Sequence, residues 1–293
     1  PLSIIPNAFQ IMMSMEIYSS IETGFRMIRK VLTMPELVRP NQEVTLSDQC
    51  YRFENVSFSY EKGIEVLHDI NFEVKPNSVF AIVGESGSGK STIAKLMAGF
   101  FDVDDGVISF GNQDVKNIPT AQLMKHVAYV AQDNFLFDTS IRENLKIAKA
   151  DATDEEILNA LKAANCLELI ERLPEGLNSN AGDCGKFLSG GERQRITLAR
   201  AMLADAQCII LDEATAYADV ENEAKIQEAL SRLMKDKTLI VVAHRLNTIV
   251  GADQIMVLDH GTINSIGTHK ELIQNSSVYQ KLWQSYSGKE VVE

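Results

Sequence analysis

The spacing of apolar residues divides the chain into two regions of different character. Residues 1 to about 35 carry apolar side chains at intervals of three and four, which indicates an amphipathic helix, and Pro35 ends that pattern. Residues 36–50 are polar and contain Pro40, so they are predicted to form a linker. The repeating apolar positions of the helix are Ile11, Met15, Tyr18, Ile21, Phe25, Ile28 and Leu32.

From Tyr51 onward, short apolar strands alternate with helical segments. Strands are predicted at residues 53–60, 66–74, 79–83, 107–110, 127–130, 208–211, 238–243, 254–258 and 262–265, with 107–110 paired to 127–130 and 254–258 paired to 262–265. Helices are predicted up to Met97, within residues 140–174, from near Gly191 and from about Glu221. The apolar stripe of 140–174 is Leu158, Leu161, Leu167 and Ile170. This alternation predicts an α/β fold with a mostly parallel sheet.

Composition narrows the possible partners. The 293 residues include 28 basic and 40 acidic side chains, a net charge of −12, which argues against a nucleic acid as the main partner. The four cysteines are far apart and include no CxxC pair, so they suit a reducing compartment and offer no metal framework. No run of about 18 apolar residues is present. We expect a fragment, because the chain begins at Pro1 rather than Met.

A glycine-rich loop carries the first chemical motif. Residues 84–91 match G-x-x-x-x-G-K-[ST] between a predicted strand and a predicted helix, where backbone amides can surround phosphate oxygens. Lys90 would reach the β- and γ-phosphates, and the Ser91 hydroxyl would ligate Mg²⁺. An ordinary glycine-rich turn is the competing interpretation. The predicted ATP-binding residues are Gly84, Glu85, Ser86, Gly87, Ser88, Gly89, Lys90, Ser91 and Thr92.

Two adjacent carboxylates follow the predicted strand 208–211. Asp212 lies at the carboxyl end of this strand, where a carboxylate can hold Mg²⁺ near a bound phosphate, and Glu213 is placed to polarise water. An isolated acidic turn would explain such a pair elsewhere, but the phosphate loop favours the functional interpretation.

The segment before these carboxylates resembles a known family. Leu188, Ser189, Gly190, Gly191 and Glu192, followed by Arg193-Gln-Arg195, resemble the signature sequence of ABC ATPases, and the resemblance covers roughly residues 50 to 288. It implies a P-loop NTPase core with an antiparallel β subdomain and a helical signature subdomain at about 133–200, all within an ATP-binding domain at 51–293. Residues 1–50 then resemble the end of a transmembrane-domain helix plus a linker; a helix packing on its own domain is the alternative.

The resemblance also implies roles for single residues. Tyr60 aligns with the aromatic residue that stacks on adenine, and Gln132 with the glutamine that contacts Mg²⁺ or the attacking water. Glu213 resembles the general base, His244 the histidine that senses the γ-phosphate, and Asp219 the aspartate that crosses the dimer interface. Without the surrounding motifs, Tyr60 would be read as a tyrosine packed in a sheet, Gln132 as a solvated glutamine and His244 as a histidine at the core or edge of the sheet.

The signature implies a pair of cassettes. In the family it closes over the γ-phosphate on the partner's phosphate loop, so ATP and Mg²⁺ lie between two subunits arranged head to tail. The partners implied are a second cassette, identical or homologous, and the chain's own transmembrane domain at the cytoplasmic face of a membrane. The segment 216–219 resembles that of siderophore-linked transporters, which leaves export or import open.

Other classes of ABC protein fit less well. A chromosome-maintenance ATPase would need a long coiled-coil insertion, and a translation factor would need tandem cassettes and a basic surface; this sequence has neither. A stand-alone importer ATPase would start near the first strand. A regulatory protein that binds ATP without hydrolysing it would be expected to lack Glu213 or His244.

Overall fold

The computed structural model describes residues 4–33, 36–61, 63–212, 225–226, 228–229, 232, 237–243 and 249–287. Two compact units are present, Pro1–Val38 and Arg39–Glu293. The first contains helix α1 (Ile4–Leu32), as the apolar spacing predicted. Large apolar side chains are exposed along the part of α1 whose burial is described, among them Met15, Tyr18, Ile21, Phe25, Ile28 and Leu32. None of the helices described is long and apolar enough to cross a bilayer.

A six-stranded sheet forms the centre of the second unit. Its strands, in spatial order, are β10 (Thr262–Gly267), β9 (Gln254–Asp259), β3 (Val79–Val83), β8 (Thr238–Val242), β7 (Cys208–Asp212) and β6 (Val127–Val130). All neighbours are parallel except β9 and β10, which confirms the predicted mostly parallel sheet and the pairing of its last two strands. The carboxyl ends of the parallel strands therefore share one edge.

A second, antiparallel sheet packs against the first. Its strands are β2 (Ile64–Val74), β1 (Tyr51–Glu61), β4 (Asp105–Phe110) and β5 (Gln113–Asp114). Phe72 stacks on Phe53 of β1 and on Phe80 of β3, with ring centroids 4.4 and 5.3 Å apart. One apolar core consequently contains residues of both sheets.

The predicted pairing of residues 107–110 with 127–130 is wrong. Strand β4 pairs with β1 and β5, whereas β6 pairs with β7 in the other sheet. The reason is the turn at Gly111 and Asn112, whose φ angles of 61° and 62° reverse the chain and supply β5 as the neighbour. Helix α3 (Thr120–His126) then leads to the parallel sheet.

Four of the helices described after β3 begin at a serine or threonine side chain that caps them. The helices after β3 are α2 (Lys90–Met97), α4 (Ile141–Lys146), α5 (Asp154–Ala163), α6 (Leu167–Arg172), α7 (Gly190–Leu203), α8 (His269–Asn275) and α9 (Ser277–Ser287). Thr153 caps the start of α5. The buried face of this helix carries Ile157, Ala160 and Leu161, and Leu158, predicted in the apolar stripe, is 42% exposed. The helix predicted from about residue 221 lies largely outside the described residues.

Helix α7 belongs to two apolar clusters at once. Ile196, Ala199 and Leu203 pack with α4, α5 and α6 in a core of the helical region. Leu198 and Ala201 face the other way and pack with strands β6 and β7. This helix therefore connects the helical region to the parallel sheet.

The segment from Arg39 to Cys50, predicted as a linker, belongs to the second unit and is bonded to the rest of it. Arg39 makes two hydrogen bonds to the Asp102 carboxylate, at 2.7 and 3.2 Å. The backbone of Val44 exchanges two hydrogen bonds with the Gln122 side chain. Cys50 is buried. Residues 39–50 therefore pack as part of this unit although they contain no helix or strand.

Candidate functional site

The glycine-rich loop lies between β3 and α2, where the sequence predicted it. A Cβ atom at Gly84 would lie 2.2 Å from the Leu258 carbonyl oxygen, and one at Gly89 would lie 2.7 Å from Leu67 Cδ2. The φ angle of Gly89 is also +103°, in the left-handed region. Close packing on β9 and β2 therefore requires glycine at both positions.

Lys90 places a positive charge inside this loop. Its side chain is 4% exposed, and Nζ donates hydrogen bonds to the carbonyl oxygens of Gly84 and Glu85, at 3.0 and 2.8 Å. Ser88 Oγ is buried and has no hydrogen-bond partner among the described residues. Beside Gly87 the space is open, since a Cβ atom there would meet no atom within 4 Å. These features suit a loop that receives phosphate oxygens.

The Asp212 carboxylate joins the loop to the neighbouring strands. Its side chain is 3% exposed, and Ser91 Oγ donates to Oδ1 at 2.8 Å. The Tyr129 hydroxyl donates to Oδ2, also at 2.8 Å. Burial raises the pKa of Tyr129, and the hydrogen bond to Asp212 raises this pKa further. Tyr129 therefore stays protonated and acts as the donor.

Tyr60, near the end of β1, contacts the first turn of α2. Its hydroxyl donates to Thr92 Oγ1 at 3.2 Å, and its ring makes edge contacts with Phe58 and Phe101 at 4.9 and 5.2 Å. The side chain is 48% exposed. An aromatic surface is therefore open to solvent next to the phosphate loop, as an adenine-stacking role requires.

Gln132 lies in the segment that follows β6, and its side chain is exposed. The Arg200 guanidinium of α7 holds the rest of this segment through hydrogen bonds to the carbonyl oxygens of Asn144 and Phe135, at 2.9 and 3.3 Å. A cavity of about 250 Å³ lies beside it, and its wall includes Tyr129, Asn134, Phe135 and Arg200.

The predicted signature residues occupy the start of α7. Leu188 and Gly191 are buried, whereas Ser189 is exposed. Ser189 Oγ accepts a hydrogen bond from the Glu192 amide at 3.3 Å, and the Glu192 carboxylate accepts one from the Ser189 amide at 2.8 Å. Burial raises the pKa of Glu192, but its hydrogen bonds with Ser189 and Arg172 outweigh this effect, and the net pKa is lowered.

Three predicted residues, Glu213, Asp219 and His244, lie outside the described residues. Glu213 follows the last residue of β7 in the chain, and His244 comes two residues after the end of β8. Their roles remain predictions from the sequence.

Comparison with known proteins identifies the family. The sequence model of the ABC transporter family matches residues 67–216, half of the chain. The chain belongs to the ABC transporter family. Its fold agrees closely with the structure of a bacterial Atm1-family ABC exporter with ATP bound, at a TM-score of 0.82 and 34% identity over 92% of this chain and 47% of that one. It contains an ABC transporter ATP-binding domain, and such domains are ATPases.

Curated relatives of this ABC domain are much longer than the chain. It is 44% identical over 280 residues to the mycobactin import ATP-binding/permease protein IrtA of Mycolicibacterium thermoresistibile, covering 91% of this chain and 31% of IrtA. It is 44% identical over 239 residues to ATP-binding cassette sub-family B member 6 of Xenopus tropicalis, covering 81% of this chain and 28% of that protein. The chain thus spans about a third of these relatives.

Sequence reasoning missed two residues of this ABC domain. Tyr129 and Arg200 belong to none of the motifs from which the site was predicted. A signal for Tyr129 existed, because β6 and β7 are parallel neighbours and Tyr129 lies opposite Ile210, two residues before Asp212. Arg200 could be placed only with the fold, since its partners lie 56 and 65 residues away in the chain.

Proposed function

We propose that this domain binds ATP with Mg²⁺ at the phosphate loop, hydrolyses it in a head-to-tail dimer and so drives transport by an attached membrane domain. The observation that carries the proposal is the hydrogen bond from Ser91 to Asp212, because it brings the loop and the strand-end carboxylate into one place. Lys90 lies in the same loop and supplies the positive charge that phosphate oxygens need.

The residues present suit Mg²⁺. A hydroxyl and a carboxylate, from Ser91 and Asp212, are the oxygen ligands this ion prefers. Within the described part of the chain, no group of three or more His, Cys, Asp or Glu side chains could hold a metal alone. This agrees with an ion that takes one carboxylate from the protein and further ligands from nucleotide phosphates, water and Gln132. When bound, Mg²⁺ neutralises charge that develops on the phosphates.

The chemistry of hydrolysis is assigned to four side chains. Glu213 accepts the proton of the attacking water as general base, and His244 and Gln132 orient that water and the γ-phosphate. Lys90 stabilises the negative charge of the transferred phosphoryl group. Tyr60 binds the adenine ring, which its exposed face beside Thr92 supports.

The dimer is proposed because α7 presents its start to solvent. Ser189 is exposed at the N-terminus of a 14-residue helix, where the helix dipole favours an anion. The γ-phosphate on a second cassette is the proposed anion, and Asp219 contacts that cassette across the interface. One chain alone then provides the phosphate loop of one ATP site and the signature of the other, so neither site is complete without the partner.

A membrane domain is proposed as the second partner. The name of the relative IrtA includes the word permease. Helix α1 also carries exposed apolar side chains, as expected at the end of a transmembrane-domain helix. We place the cassette at the cytoplasmic face of the membrane. The relatives and structures include a protein named for import and one described as an exporter, so the proposal leaves the direction of transport open.

The test is the solution mass of the Glu213→Gln chain with and without Mg-ATP. Loss of the base blocks turnover, so ATP should persist and the mass should double when ATP is added. Glu213→Gln combined with Lys90→Ala is the control, and it should stay monomeric because it cannot hold the phosphates.

A monomer that binds ATP at saturating concentration would contradict self-pairing and would indicate a different cassette as the partner. ATP turnover that is unchanged in Lys90→Ala or in Glu213→Gln would contradict the assigned chemistry, since loss of a general base typically costs about 10²–10⁴-fold in rate.

A further inference from the structure

Tyr129 is a residue to which the motifs of this family assign no role, yet it contacts the proposed metal ligand directly. Its hydroxyl donates to Asp212 Oδ2 at 2.8 Å, while Ser91 donates to Oδ1 at the same distance. One oxygen of this buried carboxylate therefore accepts from a hydroxyl of strand β6, and the other accepts from a hydroxyl of helix α2.

The position of the Tyr129 hydroxyl is fixed by packing. Its ring makes an edge contact with Phe100 at 5.1 Å, just beyond the end of α2. The strand that carries it is paired along its length with β7, so the backbones of Tyr129 and Asp212 keep a constant register. A tyrosine has few rotatable bonds, and a ring held in this way points its hydroxyl in one direction.

We propose that Tyr129 is a positioning residue that orients the Asp212 carboxylate for Mg²⁺. The proposal rests on the metal site described under the proposed function. Ser91 ligates the ion through an oxygen lone pair there, and its O–H can still donate to Asp212 Oδ1. Tyr129 holds the other carboxylate oxygen, Oδ2, without itself being a ligand of the ion.

This role follows a general property of metal sites. Groups that hydrogen-bond to ligating carboxylates fix the orientation of those ligands, and their removal typically weakens metal affinity about 10–100-fold. A tyrosine that merely fills space would act differently. Its loss would alter stability or nucleotide binding regardless of whether Mg²⁺ is present.

The experiment uses two variants and a matched control. Tyr129→Phe removes only the hydroxyl, and Tyr129→Met removes the ring as well. Tyr279→Phe removes the hydroxyl of a different tyrosine, which is buried and bonded to His269 Nδ1 in the C-terminal helices, far along the chain from the loop. Binding of a fluorescent ATP analogue is measured in EDTA, and Mn²⁺ binding to the nucleotide complex is followed by electron paramagnetic resonance.

We expect Tyr129→Phe to bind the analogue in EDTA with the affinity of the unmodified chain. Tyr129→Met should differ from it only by the effect of losing the ring. Their Mn²⁺ affinity, and the Mg²⁺ concentration at half-maximal ATPase rate, should be weaker by about tenfold or more. Tyr279→Phe should leave both quantities unchanged. Equal metal affinity in Tyr129→Phe and in the unmodified chain would overturn the proposal.

Asp212→Asn separates this proposal from the one on which it rests. If Asp212→Asn weakens Mn²⁺ binding and Tyr129→Phe does not, the metal site stands and the role of Tyr129 is wrong. If Asp212→Asn also leaves Mn²⁺ binding unchanged, the metal site itself is wrong, and the role of Tyr129 is wrong with it.

Discussion

Helices α2 and α7 both begin with glycines at proposed phosphate contacts, yet they are capped in different ways. The N-cap of α2 is Gly89, which gives no side-chain hydrogen bond, and no acidic residue lies in the first turn. The N-cap of α7 is Ser189, which forms a reciprocal capping box with Glu192. The first N–H groups of any helix lack partners within the helix. Helix α2 therefore has no side-chain cap at its N-terminus, whereas α7 is capped by its own side chains.

This difference agrees with the proposed roles of the two helices. A phosphate that binds at the start of α2 replaces no existing side-chain cap. At α7 the capping box keeps the helix start formed while the partner cassette is absent. One helix is arranged to bind its own nucleotide, and the other to stay ready for a second chain.

The largest effect is expected from Gly89→Ala, which puts a side chain where α2 begins. The φ angle of +103° and the contact with Leu67 should cost about 1–3 kcal/mol of the free energy of unfolding, and ATP binding should weaken because the loop shifts. Urea denaturation and nucleotide titration measure the two effects. Gly251→Ala is the matched control, since its Cβ meets no atom within 4 Å. An unchanged urea midpoint in Gly89→Ala would show that the loop tolerates a side chain.

A smaller effect is expected at the start of α7. Ser189→Ala should lower the free energy of unfolding by about 1 kcal/mol through loss of the cap. Ser189→Asp should keep the cap and the stability, but its charge should repel the partner's γ-phosphate and prevent the ATP-dependent dimer of the Glu213→Gln chain. Thermal unfolding and solution mass distinguish the two variants. A dimer that forms normally in Ser189→Asp would argue against contact between Ser189 and phosphate.

The smallest effect concerns the pH dependence of stability. The pKa of Glu192 is lowered in the folded state from an ordinary value of 4.5, so the unfolded chain binds its proton more readily. The stability from Glu192 is therefore full above pH 4.5 and is lost as the pH falls through the lower folded pKa. Glu192→Gln should show a shallower loss of stability in acid, measured by urea denaturation from neutral pH down to about pH 3, well below the ordinary value of 4.5. Equal slopes would exclude this contribution.

The motifs could be predicted from the sequence because each lies within one short segment. The phosphate loop, the signature and Asp212 are read from adjacent residues whose spacing is fixed by local geometry. The strand pairing of 107–110 could not be predicted, because it depends on a two-residue strand after Gly111 that carries almost no apolar pattern. Leu158 was misplaced because the buried face of α5 carries Ile157, Ala160 and Leu161, which have the same helical spacing and include the neighbouring position.

Contacts between distant segments were beyond the sequence for a different reason. Tyr129, Ser91 and Asp212 come from three segments, and their hydrogen bonds span 83 and 121 residues. Only the order of strands in the sheet brings them together. The packing of residues 39–50 on the second unit was missed likewise, since a polar segment with proline gives no sign of side-chain bonds such as that of Arg39 to Asp102.

Helix α7, which packs on two sides, connects the proposed contact with a second cassette to the segment that follows Gln132. With 14 residues, the helix is about 21 Å long, and its two buried faces keep it straight. Ser189 lies at one end, and Arg200, which holds the segment after Gln132, lies near the other. Both ends belong to one continuous helix. A displacement of Ser189 toward a second cassette would therefore be transmitted to Arg200 and to the wall of the cavity beside it.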